Sequence, residues 1–193
     1  MYEYIIGKIS QLNPAYTVIE CGGIGYHVLI SLNTYSMLEA NNDAKLYIHQ
    51  VVREDAHLLF GFFEKSEREM FRLLNTVSGV GANTARMILS SLNPQELQMA
   101  ITGSNVNALK NVKGIGLKTA QRIIVDLKDK ISKTSVSDEL FSGTYNTIKD
   151  ESLSALIMLG FPKNISEKIV DKILAENNKI SVEGLIKEAL KSM

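Results

Sequence analysis

Apolar and polar positions change rhythm twice along the chain. Over residues 1–62 the apolar residues fall in short β-branched and aromatic runs: Tyr4 to Ser10, Ala15 to Glu20, Ile24 to Ile30, Lys45 to Arg53 and Ala56 to Phe62. Breakers such as Asn13-Pro14 and Gly22-Gly23 separate them, so they read as five strands. Between the third and fourth, residues 33–39 read as a short helical turn. Five strands with a helix after the third is the order of an oligonucleotide/oligosaccharide-binding barrel.

From residue 63 to 130 the spacing becomes helical. Ser66-Glu67-Arg68-Glu69 offers a capping box ahead of Met70, Phe71 and Leu74. Asn93-Pro94 supplies an N-cap followed by proline at the first helical position. Ile123, Ile124 and Leu127 form an apolar stripe closed by Lys128 and Lys130. Residues 131–149 then lose all period and become rich in Ser, Thr and charge, the composition of a flexible linker. Residues 150–193 regain a helical pattern in three short amphipathic segments, Glu151 to Leu159, Asn164 to Glu176 and Val182 to Leu190. The expected architecture is α+β multidomain: a barrel over 1–62, helices over 63–130, a linker over 131–149 and a three-helix domain over 150–193.

Within the helical segment lies a repeat. Val77-Ser78-Gly79-Val80-Gly81-Ala82-Asn83-Thr84-Ala85 returns 35 residues later as Val112-Lys113-Gly114-Ile115-Gly116-Leu117-Lys118-Thr119-Ala120. Each copy reads as helix, glycine turn, helix. A helix N-terminus opening from such a turn presents free N–H groups and the positive end of the helix dipole, which suits a phosphate. One Gly-apolar-Gly is an ordinary turn more often than a phosphate site; two in one compact segment fit a phosphodiester backbone. Neither copy is a nucleotide loop, because Gly114 to Thr119 lacks the Gly-Lys adjacency and the spacing of a P-loop. Nor does a strand precede the first turn, as a dinucleotide fingerprint requires.

Charge sharpens this picture. The chain is neutral overall, but its basic residues are unevenly placed. Residues 1–62 carry three basic and six acidic side chains, 63–130 carry ten and six, and 131–193 carry eight and nine. The positive excess coincides with the glycine turns, the footprint of a nucleic-acid backbone contact. Gly79, Val80, Gly81, Gly114, Ile115 and Gly116 are the candidate main-chain contacts; Lys113, Lys118 and Arg122 supply charge in the second copy and Asn83 an amide in the first. A solvated helix face is the plainer reading of those three cations.

Glu54-Asp55, between the fourth and fifth strands, reads as a hairpin turn whose carboxylates would repel phosphate. One adjacent pair without further acidic or His neighbours is poor metal ligation. The histidines His27, His49 and His57 read as barrel-surface residues. The single cysteine, Cys21, fits a reducing compartment, and the opening Met1-Tyr2-Glu3-Tyr4 lacks the basic start of a secretory signal, so a cytoplasmic protein is expected. Asp126 lies on the amphipathic stripe beside Lys128 and Lys130, and no zinc set or nucleophile elbow accompanies it. That weighs against a helix-hairpin-helix glycosylase or nuclease. An adaptor stacking single strands on its barrel is disfavoured by the acidic charge of residues 1–62 and the absence of tryptophan.

Taken together, the barrel, the tandem hairpins, the loose segment and the small helical domain resemble the RuvA family. The likeness runs the length of the chain, through Val51-Val52-Arg53-Glu54-Asp55-Ala56, Gly79-Val80-Gly81, Gly114 to Ala120 and Leu159-Gly160-Phe161. The first copy departs from the pattern, with Asn83 where relatives often carry lysine. The resemblance implies a non-catalytic subunit without cofactor or metal that binds four-way Holliday junctions in recombination, repair and the SOS response. It implies a homotetramer, or an octamer of two tetramers, with Glu54 and Asp55 as an acidic pin at the crossover. It further implies a RuvB-type hexameric ATPase docked on the C-terminal domain around Leu156, Leu159, Gly160 and Phe161, and a junction resolvase in the same complex.

Overall fold

In the computed structural model, residues 1–133, 148–177 and 180–192 are described. Five strands, β1 (Tyr4–Asn13), β2 (Tyr16–Cys21), β3 (Ile24–Ile30), β4 (Asp43–Val52) and β5 (His57–Phe62), close into a barrel in the order β1-β2-β3-β5-β4. All pairs are antiparallel except β3 with β5, and β1 closes on β4. Helix α1 (Leu32–Ser36) sits between β3 and β4, as the strand count predicts. Ile5, Ile9, Ile19, Val28, Ile30, Leu46 and Ile48 fill the barrel, with Leu38 packed in the same cluster.

The helical segment contains α2 (Lys65–Asn75), α3 (Ala82–Ser91), α4 (Pro94–Thr102), α5 (Val106–Lys110) and α6 (Leu117–Lys133). It packs tightly on the barrel: residues 1–141 form one compact unit and 142–193 a second. The period of two along β4 and β5 explains this. Leu46, Ile48 and Leu59 face the barrel interior, whereas Val51, Leu58, Phe60 and Phe62 point the other way and join the helical core. The ring of Phe71 on α2 lies 5.1 Å from that of Phe60 and 4.9 Å from that of Phe62. One wall therefore serves two cores. His49 belongs to this wall; it is half-buried, 5.2 Å from the Phe71 ring, rather than on the free surface. His27 is exposed and stacks on Tyr16.

Polar contacts reinforce the seam. Ser66 is not an N-cap: α2 starts at Lys65, its N-cap is Glu64, and Ser66 is buried and donates to Glu64. The Ser-x-x-Glu spacing is there, but Glu69 pairs with Arg68 and Arg72 instead of capping. Glu67 is fully buried and accepts the hydroxyls of Ser31 and, at 2.8 Å, Thr34, both at the start of α1. Burial raises its pKa, against the lowering effect of those hydroxyls. Arg68, also buried, pairs with Glu3 and donates to the Glu3 carbonyl at 2.9 Å. The N-cap expected at Asn93 is present, and Glu96 completes it as a capping box.

The second unit contains α7 (Ile148–Met158), α8 (Lys163–Glu176) and α9 (Val182–Ser192) around Leu156, Val170, Ile173, Ile180, Leu185 and Ala189. Helix α6 continues three residues past 130 and α7 begins at 148, so the expected linker loses both its ends to helix; its remainder, 134–147, lies outside the described residues. No helix among the described residues is long and apolar enough to cross a membrane.

Candidate nucleic-acid interface

The two glycine turns match hydrogen bond for hydrogen bond. Val80 N–H donates to the Val77 carbonyl at 3.0 Å, and Ile115 N–H to the Val112 carbonyl at 3.1 Å. Each closes a four-residue turn whose third residue, Gly79 or Gly114, has φ near +88° (88 and 87). That left-handed value suits glycine and the third position of a type II turn. The apolar residues at the turn ends, Val77, Val80, Val112 and Ile115, are buried in the helical core and hold both turns in place. Because their N–H groups are taken, Val80 and Ile115 act as anchors and are not the free donors expected of them.

The next glycine of each pair opens a helix. The first helical bonds run from Ala85 N–H to the Gly81 carbonyl and from Ala120 N–H to the Gly116 carbonyl, both 2.9 Å. The N–H groups of residues 82–84 and 117–119 thus lack intrahelical partners. Gly81 has an ordinary extended backbone, φ −87°, and a Cβ at Gly81 or Gly116 would meet nothing within 4 Å. Nothing inside the chain requires glycine there. The bare Cα instead leaves the approach to the donors open to an outside group.

Charge distinguishes the copies. In the second, Lys113, Lys118 and Arg122 are exposed and carry no ion pair among the described residues. Lys118 and Arg122, with Thr119 and Gln121, line an open groove whose other wall is Ser78 and Gly79 of the first turn. The fold therefore brings the two hairpins, 35 residues apart in sequence, to one concavity. Ser78, Thr119 and Gln121 escape a reading based on charge and glycine. Gln121 lies one helical turn from Lys118, Thr119 is its neighbour in the repeat, and Ser78 is marked only by its place before Gly79. Asn83 is exposed at the start of α3 and does not line this groove.

Glu54 and Asp55 form the exposed tip of the β4–β5 hairpin, which Arg53 N–H closes onto the Ala56 carbonyl at 2.8 Å. Val51 and Leu58, just behind the tip, pack on the helical core, so the acidic tip rides on a rigid stem. Among the described residues no group of His, Cys, Asp or Glu is placed to hold a metal ion.

In the C-terminal unit the four expected docking residues separate. Leu156 is fully buried and belongs to the core, which corrects its expected place on the docking surface. Gly160, φ +96°, ends α7 in a Schellman motif: its N–H meets the Ile157 carbonyl at 2.9 Å and Phe161 N–H the Leu156 carbonyl at 3.1 Å. Phe161 folds back on the core. Leu159 and Gly160 are exposed, and the Leu159 side chain stands out alongside Ile157, Met158 and Ile165.

This geometry has counterparts among known proteins. Residues 1–61 match the RuvA N terminal domain, 71–129 the SAM-like helix-hairpin-helix tandem, and 147–193 the RuvA C-terminal domain. The Holliday junction branch migration complex subunit RuvA of Christiangramia forsetii is 51% identical over 193 residues, with 100% of both chains covered. Its counterparts in Bacteroides fragilis, 51% identical over 201 residues, and Parabacteroides distasonis, 54% over 196, are also covered over 100% of both chains. With three matched domains in the same order and half of all positions identical from end to end, this chain belongs to the RuvA family.

Proposed function

We propose that this chain is the DNA-binding subunit of a Holliday junction branch migration complex, gripping junction arms by their phosphates. The observation that carries the reading is the pair of matched glycine turns, each opening a helix whose unpartnered N–H groups lie behind a bare Cα. Main-chain donors meet phosphate in the same way whatever the base, so recognition is of shape. Gly79, Gly81, Gly114 and Gly116 shape the contact, Val80 and Ile115 hold it rigid, Lys118 and Arg122 line its groove, and Asn83 and Lys113 flank it.

Glu54 and Asp55 act as the acidic pin. In a homotetramer, alone or paired as an octamer, their four copies surround the crossover and repel its phosphates. The Leu159 corner docks a RuvB-type hexameric ATPase, which supplies the work; this chain hydrolyses nothing and acts in the bacterial cytoplasm, with a junction resolvase joining the complex. Titration onto an immobile four-way junction and onto matched linear duplex, at two salt concentrations, tests the reading. Junction preference that persists at the higher salt supports it, and equal binding that fades with salt overturns it. Replacing Glu54 by Gln together with Asp55 by Asn should tighten junction binding in the same assay; unchanged affinity would reduce the pair to a plain turn.

A further inference from the structure

The repeat aligns Ser78 with Lys113, Asn83 with Lys118 and Met87 with Arg122. At these three positions the second hairpin carries three cations and the first carries none. The helix of the first hairpin carries one cation of its own, Arg86, aligned with the neutral Gln121; the cations that approach its turn, Lys118, Arg122 and, through Thr76 at 3.1 Å, Lys130, all come from α6. Arg86 Nη1 turns inward, donating to the Ala15 carbonyl at 2.6 Å and the Ile30 carbonyl at 3.4 Å. The Ala15 carbonyl also accepts Ile30 N–H at 3.2 Å, so Arg86 ties the β1–β2 turn and the end of β3 to helix α3. One turn further on, Ser90 Oγ accepts Leu32 N–H at 3.1 Å and donates to the Arg86 carbonyl at 2.9 Å. The helix that opens from the first glycine turn is thus bolted to the barrel that bears Glu54 and Asp55.

We infer that the two hairpins have different duties. The second supplies the cations of an electrostatic clamp, and the first, with none of its own at the matching positions, is a register that Arg86 fixes against the barrel. Arg86 is then a positioning residue for junction selectivity. It sets where the first hairpin's donors stand relative to the acidic tip, while the cations of the second hairpin set overall affinity. The inference rests on the DNA-binding reading above and deepens it.

The test compares three proteins by fluorescence anisotropy on immobile junction and matched duplex across a salt series: wild type, Arg86→Met, and the double variant Lys118→Gln with Arg122→Gln. The double variant should weaken both ligands alike and flatten the salt dependence by about 0.9 in log–log slope for each phosphate left without its cation. Arg86→Met should leave the salt slope unchanged and lower the junction-to-duplex affinity ratio by about tenfold, a loss of about 1.4 kcal/mol. Arg86→Lys, still able to reach one carbonyl, should restore part of the ratio, and it serves as the test protein if Arg86→Met does not fold.

A flattened salt slope in Arg86→Met would make Arg86 a direct phosphate contact and overturn the division. An unchanged ratio in a folded Arg86→Met, or in the Arg86→Lys protein where that serves, would overturn it equally. Failure of the underlying reading looks different: wild type itself would then show no preference for the junction.

Discussion

The two hairpins share a backbone and differ in almost everything around it. Both turns close on buried apolar residues, both place glycine near +88° (88 and 87), and both open a helix with the same first bond. Yet the helices flanking the first, α2 and α3, are tied to the barrel by Glu67, Arg68, Arg86 and Ser90. In the second, α5 and α6 are held by the apolar residues Leu109, Ile123, Ile124, Leu127 and Ile131. The glycine pattern specifies the shape of the turn; the flanking helices decide what that turn is attached to and which charge stands beside it. A duplicated motif can therefore keep one geometry while its copies take different roles.

The sharpest way to break the comparison is Gly116→Asp. The new side chain enters open space, so the fold should survive. A carboxylate now stands where a phosphate must approach, and junction binding should be abolished in a filter-binding titration; near-normal affinity would remove the second hairpin from the interface.

Next in size is Ala at Gly79 or Gly114. Each forces a Cβ into a left-handed conformation at a cost of roughly 1–2 kcal/mol. Thermal melting should show similar losses for both, since neither new methyl would meet a neighbour closer than 3.9 Å, Met87 Cε at Gly114. Unequal losses would show that the turns differ in more than their surroundings.

A smaller effect sharpens the comparison from the other side. Asn83→Lys gives the first hairpin the charge its twin already has, and should tighten DNA binding a few-fold and steepen the salt slope by about one. No change in slope would mean that position 83 stands away from the phosphates.

Smallest is a pH effect on the tie beneath the first hairpin. Burial raises the Glu67 pKa, so the folded chain keeps a proton that the unfolded chain releases. Its contribution is full below the ordinary carboxylate pKa and is lost as pH rises through the raised value. Glu67→Gln should remove that decline; denaturant unfolding at acid and neutral pH would measure it, and parallel pH profiles for the two proteins would deny Glu67 the role.

What the sequence reveals and what it hides follow from how local each signal is. The succession of strands along the chain, the Asn93 cap and both glycine turns depend on neighbours within a few residues, and all three are present in the fold. The shared wall is hidden because alternation along Leu58, Leu59 and Phe60 says that two faces are buried, not that they serve different cores. Ser66 misleads because a cap signature cannot reveal that Glu67 is claimed by hydroxyls 33 and 36 residues away. Arg86 gives no local signal for the same reason: its carbonyl partners lie 56 and 71 residues back. At the candidate site the glycines and cations are legible from composition and spacing. Helical spacing alone cannot tell buried Leu156 from exposed Leu159, since both lie at one short helix end.

The closure of β1 on β4 has a consequence for how copies of this chain can meet. Every strand of the barrel has two hydrogen-bonded neighbours, so only part-strands, such as residues 24–27 on the β5 side of β3, lie outside the ladders. Strand-by-strand growth, the route by which β proteins run on into fibres, has only those short stretches to start from. In the proposed tetramer, copies would then meet through exposed side chains, of which Ile6, Ile24 and Val52 are the large apolar ones on the barrel strands β1, β3 and β4. Contacts of that kind can stop at a fixed number of partners, which a ring around a crossover requires and a ribbon does not.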